Sequence, residues 1–233
     1  MSDSPTLARD ELARAAPGRD AAVAIGVFDG VHRGHRYLIG HMVERARQEG
    51  LAAIVVTFHP HPRLVVHPQA TLTYLCGLEE RIELLRALGV DSVAILSFTS
   101  ELAQLSAREF AALLVDELRL KLLVIGTDFA LGRNREGDAQ TLTAIGREMG
   151  FAVEVVPLLA AASEKVGSSA VRLALTRGDM ETVASLLGRP FSLRGPVVAG
   201  AERGKSLGFP TANIAFGLDR ALPAFGVYVT RAY

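Results

Sequence analysis

The sequence predicts an α/β protein: a doubly wound, Rossmann-like parallel sheet followed by the first part of a small β domain. Three observations predict it. Short all-apolar runs alternate with helix-period patterns between residues 21 and 156, as in strands covered on both faces by crossover helices. Ser, Asp and Gly stand where those helices must begin and end. After residue 188 the helical pattern gives way to Gly, Pro and short β-type runs. The expected organisation is an N-terminal extension over 1–20, an α/β domain over 21–188 and the first part of a β domain over 189–233.

The elements follow in order. Ala22–Val27 reads as a buried strand, and a glycine-punctuated turn follows it. Leu38, Ile39, Met42, Val43 and Ala46 recur at helical spacing up to Gly50. Leu51–Phe58 is the second strand. Arg81–Leu88 is a helix stopped by Gly89, and Ser92–Phe98 is a strand. Ser106 and Glu109 form a capping box that opens a helix running through Leu118. Leu122–Ile125 is the fourth strand. Asp138 caps a helix with Leu142, Ile145 and Met149 on one face, ended by Gly150, and Phe151–Val156 is the fifth strand. Two short helices come next, Ser168–Arg177 and Met180–Leu187, the second capped by Asp179 and ended by Gly188. The β-type runs beyond are Pro196–Ala199, Ala212–Phe216 and Val227–Thr230. The last of these stretches has no turn or polar tail after it, so the sequence reads as cut within a strand.

Hydrophobic residues make up 49% of the 233-residue chain, enough for a core, and Lys+Arg equals Asp+Glu at 25 each. A zero formal charge argues against a nucleic-acid partner, which usually calls for a basic excess. Cys76 is the sole cysteine, so no intrachain disulfide is expected and a reducing cytoplasm fits. No signal-type apolar run opens the chain, and no membrane span is expected. The partners expected are small molecules.

The chemistry concentrates in the turn GVFDGVHRGH, residues 26–35. Gly26, Gly30 and Gly34 let the backbone turn sharply and a ligand approach it. The helix that follows offers free N–H groups and a positive dipole end to a phosphate. His32 and His35, three apart, can face one bound group and donate to oxygens that gain charge. Two other readings stay open: histidines that only cap the helix or fill space, and a metal site. All six histidines lie between residues 32 and 67, but their spacing is not that of a zinc motif.

GVFDGVHRGH resembles the H-x-G-H signature of the nucleotidylyltransferase superfamily, in the form found in bacterial bifunctional FAD synthetases (riboflavin kinase/FMN adenylyltransferase). The resemblance continues through TFHPHP at 57–62, GTDFALGRNREG at 126–137, VGSSAVR at 166–172, LGRPFSLRGPV at 187–197 and RGKSLGFPTAN at 203–213. It implies transfer of AMP from Mg-ATP to FMN. His32, His35 and Arg172 would be the catalytic groups, and Gly26, Phe28, Asp29, Gly30 and Gly34 would bind alongside them. Phe58, His61 and Pro62 would border the flavin. Asp128 would accept from a ribose or flavin hydroxyl, Phe129 would cover a ring, and Arg135 would fork onto phosphate. Ser168 and Ser169 would open a phosphate-facing helix. For the 57–62 loop ordinary packing is the alternative, and for 126–137 a solvated charged loop.

The family usually carries serine where this chain has Gly167. Either a phosphate contact is lost there, or the backbone needs a positive φ. In the segment around residue 208, Thr211 and Asn213 are implied as oxygens for Mg²⁺ in a riboflavin kinase loop. The resemblance makes the C-terminal part an incomplete β-barrel domain: the rest of the barrel and its catalytic glutamate would lie further downstream, so riboflavin phosphorylation is not expected of this chain. All adenylyltransferase-like motifs end by Arg172, so residues up to 188 are expected to suffice for FAD formation. Two rival readings remain: a transferase of the same fold acting on a pantetheine or glycerol phosphate, and a non-catalytic flavin- or nucleotide-binding remnant.

Overall fold

β1 (Ala21–Ile25) is apolar at every position and buried at every position, which only the centre of a covered sheet allows. In the computed structural model, which describes residues 4–157, 160–161, 164–200, 208–209 and 211–233, it pairs in parallel with two strands. These are β2 (Ala52–His59), with Val23 opposite Ile54, and β4 (Leu120–Gly126), with Val23 opposite Leu123. β3 (Ser92–Ser97) lies outside β2 and β5 (Ala152–Val156) outside β4, giving the order β3-β2-β1-β4-β5. The chain therefore winds one way through the first three strands and the other way through the last two. The reversal falls between β1 and β4, and ligands in such sheets bind at the carboxyl ends of the strands at that point.

The two faces are separated by strand period. Ala21, Val23 and Ile25 face a cluster that contains Leu12, Phe110, Leu114 and Leu142. Those side chains come from α1 (Ser4–Ala15), α6 (Ala107–Leu118) and α7 (Ala139–Met149). Ala22 and Ala24 face Ile39, Met42 and Leu85, from α2 (Arg33–Glu49) and α4 (Leu78–Arg86). The expected caps are present. Ser106 and Glu109 form the reciprocal box that opens α6, Asp138 accepts from Thr141 N at the start of α7, and Gly150 ends α7.

Among the described residues, three α-helices have no counterpart in the sequence pattern. One is α1: residues 1–20, expected to be an extension, supply Ala8 and Leu12 to the core. The Glu11 carboxylate accepts from Ser97 N at 2.8 Å and Ser97 Oγ at 2.6 Å, fastening α1 to edge strand β3. The other two, α3 (Pro62–Val66) and α5 (Ser100–Gln104), are single short turns, too brief for periodicity to register.

α8 (Ser168–Thr176) and α9 (Met180–Leu187) pack on each other in a third cluster with Leu75, Val166 and Ala221. Before them β6 (Ala160–Ala161) and β7 (Glu164–Lys165) form a two-residue antiparallel pair. Of the β-type runs beyond 188, two contract to β8 (Val197–Val198) and β9 (Asn213–Ile214), which pair antiparallel. The third, Val227–Thr230, is not a strand, and Val227 and Val229 are fully exposed. A sheet needs partners on both sides to cover such residues, and this short pair supplies none. Residues 203–207 and 210 of the RGKSLGFPTAN stretch lie outside the described residues. Among the described residues no helix is long and apolar enough to cross a membrane.

Candidate active site

The turn between β1 and α2 is unusual in its backbone. Phe28 and Val31 have φ of 53° and 40°, and Gly30 between them has φ 76°. Left-handed non-glycine residues cost free energy and persist only where the surroundings over-determine them. At Gly30 glycine is required twice over, because a Cβ would also lie 2.8 Å from Leu75 Cδ1.

The surroundings supply a complete set of donors. Val27 O accepts from Arg81 Nη1 at 2.6 Å and from Thr57 Oγ1 at 3.0 Å. Phe28 O accepts from Val31 N, and Asp29 O from Ser168 Oγ at 3.0 Å. Gly30 O and Val31 O accept from the two Nη groups of Arg189, at 2.8 and 3.2 Å. His32 O accepts from Arg36 N inside α2. No carbonyl from Val27 to His32 is left without a donor, as burial demands.

His32 is the N-cap of α2, and its Nδ1 accepts from His35 N at 3.3 Å. An accepting Nδ1 leaves the ring proton on Nε2, so His32 is a neutral donor. Burial, then the charge of Arg189, takes its pKa down to about 4. His35 stacks on it with ring centroids 3.5 Å apart, and Phe28 meets the His35 ring edge-on at 5.1 Å. Burial, then His32 and Arg81, holds His35 well below its ordinary value. Its Nδ1 is buried without a partner. The capping reading of His32 is thus realised, and it coexists with a place at a cleft.

That cleft, about 470 Å³, opens at the switch point of the sheet. Gly26 and Val27 line it from the end of β1, and His32, Gly34 and His35 from the start of α2. Asp128, Phe129 and Arg135 line it from the loop after β4, and Gly167 and Ser168 from the start of α8. Phe28 also contributes, although it is only 2% exposed. Arg135 Nη2 donates to Asp128 O at 3.2 Å, closing the 126–137 loop on itself. A smaller hollow of about 250 Å³, lined by Arg19, Arg47 and Asp91, borders the start of β2 and contains no motif residue.

Several expected site residues are placed elsewhere. Asp29 is buried, accepts from Leu75 N and Cys76 N, and pairs with Arg172. Burial pushes its carboxyl up, against the pull of Arg172 and those backbone donors. Arg172 does not line the cleft; its Nε donates to Thr73 O at 2.7 Å, and its other end is taken by Asp29. Expected as a catalytic group, it is held between Asp29 and Thr73 O and ties α8 to the 73–76 loop. Phe58 packs on Phe98 and Phe110. His61 caps α3, its Nδ1 accepting from Arg63 N, with Pro62 as the first helical residue. Burial, then Arg172, lowers His61 to about 4. Ser169 is exposed beside Ser168 and does not line the cleft.

Gly167 has φ −162°, extended backbone open to any residue, and nothing lies within 4 Å of a Cβ built there. The positive-φ reading is therefore overturned. Thr211 and Asn213 are exposed in and beside β9. Among the described residues no three His, Cys, Asp or Glu side chains converge as a metal site. Two neutral oxygens fit Mg²⁺ only when a nucleotide brings it.

Arg81 was not singled out as a site residue. It is fully buried, with Nε and Nη2 unpartnered, and it donates to Val27 O, Phe58 O and Thr57. The available signal was a cation at helical spacing from Leu85 and Leu88, on the apolar face of its helix. Tyr37 and Leu38 on α2 and Val156 and Pro157 after β5 also line the cleft without a motif to mark them.

The FAD synthetase family matches residues 15–170, and the riboflavin kinase family matches residues 187–233. A bifunctional riboflavin kinase/FMN adenylyltransferase of Listeria monocytogenes is 38% identical over 212 residues, covering 90% of this chain and 67% of the relative. The protein of that name in Escherichia coli K12 is 38% identical over 91% of this chain and 68% of the relative. A crystal structure described as a macrolide-efflux protein from Streptococcus pneumoniae superimposes with TM-score 0.85 at 31% identity, over 93% of this chain and 71% of that one. Pantoate-beta-alanine ligase from Francisella tularensis, in complex with an ATP analogue and beta-alanine, shares the fold at TM-score 0.50 and 17% identity, over 79% of this chain and 76% of that one. With the switch-point cleft, the histidine turn and these matches together, the chain belongs to the FAD synthetase family, among the bifunctional riboflavin kinase/FMN adenylyltransferases.

Proposed function

We propose that this chain transfers the adenylyl group of MgATP to FMN, giving FAD and pyrophosphate. Residues 21–188 would form the transferase and residues 189–233 the start of a riboflavin kinase-like domain. A phosphate oxygen of FMN attacks the α-phosphorus in line. The bond from that phosphorus to the bridging oxygen breaks, and its electron pair leaves on pyrophosphate. No covalent enzyme intermediate is needed, so catalysis is positioning and charge stabilisation.

The observation that carries this reading is the pair of neutral, stacked imidazoles at the N-terminus of α2, facing the cleft. His32 has its proton on Nε2, and His35 has a buried nitrogen with no protein partner. Donors held this way cost no reorganisation when charge develops on the leaving oxygens. The N-termini of α2 and α8 add backbone N–H groups for the phosphates, and Arg135 adds a cation at the cleft. Magnesium enters on ATP. Thr211 and Asn213 would meet a metal only through the nucleotide of the kinase-like domain.

The test mixes the protein with FMN, ATP and Mg²⁺ and follows FAD and pyrophosphate by chromatography. Equal amounts of both are expected. Pyrophosphate released instead with pantetheine or glycerol phosphate would move the enzyme to another substrate. Tight binding of FMN and ATP without turnover would make it a binding protein.

A further inference from the structure

Two of the six carbonyls of the histidine turn are held from outside the α/β sheet. Arg189, the first residue after the left-handed cap Gly188 of α9, reaches Gly30 O and Val31 O with both Nη groups. Gly188 itself rests on the first turn of α2. Its carbonyl accepts from Arg36 Nη1 at 3.5 Å, and a Cβ on it would lie 2.9 Å from Arg33 Cγ. The chain beyond is fastened as well. Ser192 donates to Glu80, Arg194 pairs with Glu83 at 2.6 Å, and Arg220 pairs with Glu80 at 3.4 Å with both groups buried. Tyr74 N donates to Asp219 O, and Ala221 N to Tyr74 O. Glu80 adjoins Arg81, whose guanidinium holds Val27 O at the other end of the turn.

We infer that Arg189 is a positioning residue for His32, so that the segment after α9 completes the adenylyl-transfer turn of the preceding domain. The inference rests on the function proposed above. Val31 has φ 40° and directly precedes His32, and its carbonyl has Arg189 as its donor. Without that donor the strained backbone has less reason to hold its shape. The imidazole at its end would then lose its aim, and a displacement of about 1 Å costs on the order of 10²-fold in rate. The titratable and charged groups bearing on His32 are His35, stacked from α2, and Arg189. Arg189 therefore acts through charge as well as through shape, adding to burial, the larger cause, in keeping the ring neutral.

The experiment uses the full chain with Arg189→Gln and Arg189→Lys. The His32 titration midpoint is read by NMR without substrates, and kcat and KM for ATP are read across pH. For Arg189→Gln the midpoint is expected to rise from about 4. The acid limb of kcat should move to higher pH with it, and kcat should fall at least tenfold with KM for ATP changed less than about threefold. Arg189→Lys should restore the midpoint and only part of kcat, since an ammonium lacks the planar fork. An unchanged midpoint in a folded Gln variant overturns the inference, and so does a loss of rate that tracks lowered melting temperature alone. Absence of FAD from the unaltered chain would refute the proposed reaction instead, while the NMR midpoint still decides whether Arg189 governs His32.

Discussion

Gly167 is the N-cap of α8, yet no side chain caps that helix, and the position lines the cleft. Extended backbone and open space mean that Gly167→Ser requires no strain. The new hydroxyl would lie at the cleft, beside the start of α8, where the proposed function puts a phosphate. One added neutral hydrogen bond is worth about 1 kcal/mol, or roughly fivefold in affinity. A lower KM for ATP at unchanged kcat is expected, with a slight rise in melting temperature from capping. An unchanged KM would place residue 167 outside the phosphate path. His32 calls for a substitution that separates cap from catalyst. Asparagine is a strong N-cap residue, so His32→Asn should keep α2 intact while removing the Nε2–H donor. Turnover is expected to fall on the order of 10²-fold with thermal stability nearly preserved. Equal losses of both would reduce His32 to a cap.

The ion pair between Asp29 in the turn and Arg172 in α8 decides where a helix sits. Asp29 is 2% exposed and Arg172 about a fifth exposed, and a third partner, Thr73 O, joins them. Breaking a buried pair from one side leaves an uncompensated charge at a cost of about 3–5 kcal/mol. Arg172→Met is therefore expected to lower the unfolding free energy by that order, and adding Asp29→Asn should recover part of it. Chemical denaturation of the single and double variants measures this directly. A stable Arg172→Met protein with abolished turnover would return Arg172 to the catalytic groups. At the same scale, α1 shows why a segment without a clear pattern escapes prediction. Among the described residues it buries Ala8 and Leu12 in the core with Ala15 packed alongside, and its polar anchors are distant in sequence: Glu11 on Ser97, 86 residues away, and Arg9 on Asp116 and Glu117.

Across the whole molecule, the histidines make folding depend on pH. His32 falls from 6.5 to about 4 on folding, and His35 and His61 fall as well. Between those values the unfolded chain binds more protons than the folded one. The stabilisation is therefore fully present above about pH 6.5 and is withdrawn as pH falls towards 4. His32 alone accounts for on the order of 3 kcal/mol, while Asp29, raised by burial, works in the opposite sense. Urea unfolding between pH 8 and 4 should show that decline, and His32→Asn should flatten it. The contacts made beyond residue 188 revise a second expectation. A chain ending at Gly188 keeps every adenylyltransferase motif but loses Arg189, Ser192 and Arg220. It is expected to form FAD at least tenfold more slowly than the full chain, because the turn then loses two donors. Equal rates would show that the motifs are sufficient alone.

The sequence by itself determined the order of strands and helices, the capping of α6 and α7, the histidine turn and the family. Each of these is written in local period, local caps or a contiguous motif, which need no knowledge of distant contacts. His32, His35, Asp128, Phe129, Arg135 and Ser168, all named from motifs, line one cleft, because strand ends on one side of a parallel sheet converge. Only the tertiary structure decided which polar residues face that cleft and which hold it. Asp29 and Arg172 belong to a motif, yet they are consumed by each other. Arg81 lies outside the motifs, and Arg189 lies in one that implied no role for it, yet both support carbonyls of the histidine turn. The physical reason is that a buried carbonyl or carboxylate must find its partner wherever the fold places one. That partner is chosen by packing, across 54 residues of chain for Arg81 with Val27 and 158 for Arg189 with Val31, and no spacing along the sequence encodes it.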